Sequence, residues 1–102
     1  MIKHVVIINF EKKFNINYQA LLEETKPLIL SIPGVLKYEI FKNESHYTSE
    51  NIISFGVEIN FENWSALEVF MTHSNHFDAN RRFEKYLATP PFMVLTYETN
   101  ST

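Results

Sequence analysis

Histidine is the side chain that exchanges a proton near neutral pH without help from its surroundings, and this chain has four. Two of them, His73 and His76, fall in one stretch, Phe70-Met71-Thr72-His73-Ser74-Asn75-His76-Phe77, between two amphipathic patterns. Their spacing of three puts both on one face of a helix, which also suits a metal ion. A stable metal site needs a third or fourth ligand, and no carboxylate except Asp78 stands at an obvious position, so neither a metal nor another cofactor is expected. His73 is expected instead to cap or flank a break in the helix, at the border of any pocket there. His4 alternates with Val6, Ile8 and Phe10 and so points inward with them. His76 precedes Phe83 and Leu87 by seven and eleven residues, on one helical stripe, and also points inward. Two inward histidines on different elements can meet. In the first turn of a helix His76 would feel the positive end of the dipole, which disfavours imidazolium and leaves a neutral ring able to accept a proton. The chemistry to expect is general-base catalysis by His76 with His4 as its hydrogen-bond partner; the plainer reading is that both rings complete the core. His46, in a polar segment, is expected to be solvated.

The elements that would position these residues follow from periodicity. Ile2 to Phe10 is rich in β-branched and aromatic residues on both faces and reads as a covered strand. Asn15 is placed to cap a helix in which Tyr18, Leu21, Leu22, Thr25, Leu28, Ile29 and Ile32 form the apolar stripe. Pro27 lies inside that helix and predicts a kink or an early end, with Pro33-Gly34 as the firm stop. A second strand is expected from Val35 to Phe41, then a long polar loop from Lys42 to Asn51. A third strand from Ile52 to Phe61 turns Ile53, Phe55, Val57, Ile59 and Phe61 towards the helices. Asn63 is placed to cap a short helix bearing Trp64, Leu67, Phe70 and Met71. After the histidine stretch a further helix carries Phe83 and Leu87 until Pro90-Pro91 stops it, and Phe92 to Glu98 closes as a strand.

This order, β-α-β-β-α-β, predicts an α+β fold: a ferredoxin-like protomer with a four-stranded antiparallel sheet and helices on one face. The chain has 102 residues, which is one domain by the usual prior. Its net charge of −3, without a basic cluster, gives no footprint for a phosphate backbone, so nucleic acid is not an expected partner. The absence of cysteine excludes thiolate catalysis and disulfides. The apolar run Val5-Val6-Ile7-Ile8 is too short for a signal peptide, and no stretch approaches the roughly 20 apolar residues that span a bilayer. A cytoplasmic protein without a membrane partner is expected. The sheet face away from the helices should carry Val5, Ile7, Leu36, Tyr38, Ile40, Met93 and Leu95, too apolar to leave in water, which predicts a homodimer formed sheet to sheet.

Ile2-Lys3-His4-Val5-Val6, Ile32-Pro33-Gly34-Val35, Phe61-Glu62, His73-x-x-His76 and Val94-Leu95-Thr96-Tyr97, in this order, resemble the stress-responsive α/β-barrel domain (Dabb) family across essentially the whole chain. The resemblance implies a dimeric α+β barrel of ferredoxin-like protomers. Function in that family is largely unassigned; one plant member is a polyketide cyclase that closes an aromatic ring without metal or cofactor. By the resemblance His4 and His76 match two pocket histidines. The cyclase's tyrosine falls at Phe70, a histidine common on the third strand falls at Phe55, and the usual His-Pro pair is His73-Ser74. Phe55 and Phe70 are therefore expected to line the pocket and make it more apolar.

The leading reading is a small homodimer binding a small hydrophobic molecule between sheet and helices, with His-mediated proton transfer as its chemistry. The alternatives are a monooxygenase of the antibiotic-biosynthesis type and a non-catalytic stress or assembly protein whose pocket is simply core. A cavity reaching both histidines separates the first two from the third.

Overall fold

A computed structural model describes residues 1–44 and 50–100. His46 and half of the polar loop around it, residues 45–49, lie outside the described residues. Strand β1 (Ile2–Glu11) is followed by a short 3-10 turn (Lys12–Phe14), helix α1 (Tyr18–Leu30), β2 (Val35–Lys42), β3 (Ile52–Phe61), α2 (Trp64–Thr72), α3 (Ser74–Arg81), a second 3-10 turn (Glu84–Tyr86) and β4 (Leu87–Glu98). The strands form one antiparallel sheet in the order β2-β3-β1-β4, the ferredoxin-like arrangement, with the helices on one face. Alternation along β1 sends Ile2, His4, Ile8 and Phe10 into the core, where they meet Phe55, Ile59 and Phe61 of β3 and Leu22, Ile29 and Phe70 of the helices. No helix among the described residues is long and apolar enough to cross a membrane.

The cap of α1 is Asn17, whose side chain accepts from the Ala20 N–H at 3.1 Å, and not Asn15. The 3-10 turn uses up the residues before it, and Asn15 closes that turn in the left-handed region at φ 52°. Pro27 does not stop the helix, which runs on to Leu30. Ser31 then gives both its N–H and its hydroxyl to the Pro27 carbonyl, at 3.2 and 2.7 Å. The helix ends at Leu30, and the turn that follows runs through Pro33-Gly34 into β2. Gly34 has φ +87°, and a Cβ there would lie 2.4 Å from that of Ala66, so the turn needs glycine for both backbone and space.

Asn63 caps α2 by accepting from Ala66 at 2.9 Å, and the expected break falls at His73. The last helix is shorter than its pattern predicts. It ends at Arg81, Phe83 enters the core beyond it, and Leu87 already pairs with Phe10 as the first residue of β4. Pro90 and Pro91 thus sit inside a strand. An edge strand tolerates them because it need not donate every ladder bond, and the register of β4 is irregular there, between Ile8 and Phe10 of β1.

The largest correction concerns β2. Its register against β3 shifts between Val35 and Lys37, where Leu36 is an extra residue, 52% exposed. Beyond that bulge the alternation sends Tyr38 and Ile40 to the helix side, so neither belongs to the outer face where the pattern had put them. The outer face instead carries Val5, Ile7, Phe41, Met93 and Leu95, with Met93 69% and Leu95 60% exposed. Phe41 lays its ring over Gly56 so closely that a Cβ at that position would come within 2.2 Å of it.

Candidate functional site

Between the inner face of the sheet and the helices lies a cavity of about 300 Å³. Its floor is Val6 and Ile8 of β1 with Val57 and Ile59 of β3; Ile29, Ala79 and Phe83 close it from the helix side. Three other lining residues, Met71, Phe92 and Val94, are exposed, so the cavity meets solvent on their side, beside the edge strand. The polar residues on its wall are His4, Thr25, Tyr38, His76 and Asn80.

His4 is buried because β1 alternates, and its Nδ1 shares a 2.7 Å hydrogen bond with the Thr96 hydroxyl, which lies directly opposite on β4. His76 occupies the first turn of α3, its N–H donating to the His73 carbonyl at 3.0 Å. The Phe70 ring stands between the two imidazoles, stacked on His76 at 4.2 Å and edge-on to His4 at 6.0 Å. The Asn80 side-chain amide, one turn along α3, lies 3.4 Å from His76 Nε2, while Nδ1 is sealed in the protein. An amide N–H donates, which assigns Nε2 as the acceptor and leaves the proton on Nδ1.

Burial lowers the pKa of both rings, and at His4 the nearby His76 lowers it further. At His76 the Met71 backbone carbonyl works in the opposite direction without cancelling the effect of burial. Both histidines are therefore neutral at pH 7. A neutral imidazole in an apolar wall accepts a proton or a hydrogen bond from whatever lies beside it.

Of the residues singled out from the sequence, His4, His76 and Phe70 come together on this one cavity. Phe55 does not reach it: its ring packs edge-on against Phe10 at 6.3 Å within the core. Nor does His73, whose Nδ1 turns back to accept the Asn75 N–H at 3.0 Å and caps α3. Asn75 in turn donates from its side chain to the Leu28 carbonyl at 3.0 Å, tying the start of α3 to the last turn of α1. Among the described residues no three of His, Asp and Glu are placed to hold a metal ion. The sequence pattern missed Tyr38, Thr25, Thr96 and Asn80. Asn80 carried a signal, being four residues after His76; Tyr38 was hidden by the bulge.

The model of the stress-responsive A/B barrel domain, Dabb, matches residues 2–96. The chain belongs to the Dabb family. No curated protein matches it in sequence. Among solved structures, the Arabidopsis thaliana protein At3g17210 superposes with a TM-score of 0.79 at 19% identity, over 100% of this chain and 98% of that one. A dimeric ferredoxin-like protein of unknown function from Thermobifida fusca gives 0.73 at 14% identity, covering 96% and 90%. A candidate antibiotic biosynthesis monooxygenase from Nitrosomonas europaea gives 0.77 at 10%, covering 99% and 100%. At these identities the likeness is one of fold, and it places the Dabb cavity on a scaffold that carries differently named proteins.

Proposed function

We propose that this Dabb protein takes up a small, largely apolar molecule in the cavity between sheet and helices and that His76, with His4 beside it, moves a proton on that molecule. The observation that carries this reading is the cavity itself: about 300 Å³, bounded by aliphatic and aromatic side chains and reaching both neutral histidines. Such a volume lies at the small end of ligand sites. A core that was merely filled would leave no such void, which weighs against a purely structural role. The monooxygenase alternative rests on fold likeness alone.

For a ligand with an acidic C–H next to a carbonyl, His76 Nε2 exchanges its long, 3.4 Å contact with the Asn80 amide for the ligand and takes the proton, and the C–H electron pair moves into the enolate, whose oxygen takes the charge. His4, with its Thr96 hydrogen bond, supplies a second polar group on the same wall. The Phe70 ring, stacked on His76, holds the imidazole plane in place and excludes water from one side of it.

The protein works as a homodimer in this reading, because Met93, Leu95, Phe41, Ile7 and Val5 form one apolar surface on the outer sheet face. The Thermobifida fusca neighbour is described as dimeric. The function is tested by titrating propylbenzene into the protein and into a Val57→Phe variant that fills the cavity. Saturable binding to the first and none to the second is expected; equal binding to both would end the reading.

A further inference from the structure

The cavity has a second polar station, on the far side of its floor from His4 and carried by Tyr38 and Thr25. The register defines one row of inward residues across the sheet: Tyr38 of β2 opposite Ile59 of β3, Ile59 opposite His4 of β1, and His4 opposite Thr96 of β4. Neighbouring strands lie about 4.8 Å apart, so the backbones at Tyr38 and His4 are separated by roughly 10 Å, with Ile59 between them. Tyr38, Ile59 and His4 of this row line the cavity.

The hydrogen bonds at the Tyr38 end fix what that station can offer. Thr25, fully buried on α1, donates its only hydroxyl proton to the Leu22 carbonyl at 2.6 Å. It also lies 3.0 Å from the Tyr38 hydroxyl, and with its own proton committed it can only accept there. Tyr38 must therefore be the donor to Thr25. Its phenolic oxygen keeps a free lone pair and has no proton left to give. Burial raises the Tyr38 pKa, so the phenol stays protonated and this pattern of donors holds at neutral pH.

We infer that the Tyr38–Thr25 pair is a specificity-determining subsite that accepts a hydrogen bond, selecting ligands that carry a hydroxyl at that end and rejecting those that present a carbonyl or an ether oxygen. This rests on the cavity reading above and adds the ligand's second group: an apolar body with a hydroxyl lodged at Tyr38 and its reactive part at His4 and His76. An oxygen without a proton, placed against the Tyr38 lone pair, loses its hydration and gains no partner.

The test compares 4-propylphenol with its methyl ether, 4-propylanisole, by titration calorimetry on the folded protein and on three variants. The wild type should prefer the phenol by roughly five- to tenfold, the worth of one net hydrogen bond. In Tyr38→Phe that preference should fall within about twofold, with the anisole binding at least as tightly as it does to the wild type, which shows that the variant is folded and its cavity open. In His76→Ala the preference should persist, since it does not originate at the histidine end. Thr25→Val frees the Tyr38 proton to point at the ligand and should strengthen anisole binding relative to wild type. A phenol preference that survives Tyr38→Phe, or disappears in His76→Ala, overturns the assignment. Equal binding of both probes by the wild type also overturns it while the cavity reading stands; binding of neither removes both.

Discussion

At the residue scale, burial in an apolar wall keeps two histidines neutral. Each has its pKa lowered by burial, so the unfolded chain takes up protons at these positions at a higher pH than the folded protein does. The sign follows from linkage: above the ordinary value of about 6.5 both states are neutral and nothing is lost. As pH falls through that value the unfolded state binds more protons, and folding stability declines until the folded rings are protonated in turn. The urea midpoint should therefore be flat above about pH 7 and drop between about pH 6.5 and 5, with a shallower drop in His4→Phe. An unchanged midpoint across that range would show that the rings are not buried as described. Phe70 belongs to the same scale. It fills the space between the imidazoles, and Phe70→Ala should cost about 3 kcal/mol in chemical denaturation.

At the scale of elements, the break between α2 and α3 aims His76 at the cavity. One residue, His73, ends the first helix and caps the second through its ring nitrogen. His73→Ala should destabilise the protein by about 1 kcal/mol, and His73→Asn should recover most of it, because asparagine accepts the same backbone proton. Gly34→Ala should cost about 2 kcal/mol or more, from a left-handed φ and a collision with Ala66.

These elements also show what the sequence could reveal. The order of strands and helices was legible because β1 is β-branched and aromatic on both faces, β3 alternates cleanly, and the caps at Asn63 and Pro33-Gly34 carry local signals. The break at His73 was legible for the same reason. The inward turn of Tyr38 was not, because a single extra residue in β2 inverts the alternation and nothing in Val35-Leu36-Lys37 marks it. The end of α3 was hidden in a similar way. Phe83 and Leu87 keep helical spacing, yet a 3-10 turn separates them and delivers Leu87 to β4. Phe55 was placed on the correct face but turns its ring along the core to Phe10, a choice that pattern does not specify.

At the scale of the molecule, the sheet has one covered and one bare side. The bare side presents rows in register: Phe41, Gly56, Ile7 and Met93 along one, Glu39, Glu58, Val5 and Leu95 along the next. A partner copy covering it would bury about 1,500 Å² or more. Light scattering at micromolar concentration should report a dimer, and Leu95→Lys, which places a charge in the apolar patch, should yield a monomer. A wild-type monomer would leave the exposed Met93 and Leu95 without the role assigned here.

The central claim, that the cavity receives a ligand against His4 and His76, is tested most directly by following the imidazole C–H proton signals of the assigned histidines during a titration with 4-propylphenol. The signals of His4 and His76 should move together along one saturable curve, while that of His73, turned away into its cap, stays in place. Saturation that moves His73 and leaves His4 and His76 unshifted, or no saturable movement of either, would contradict it.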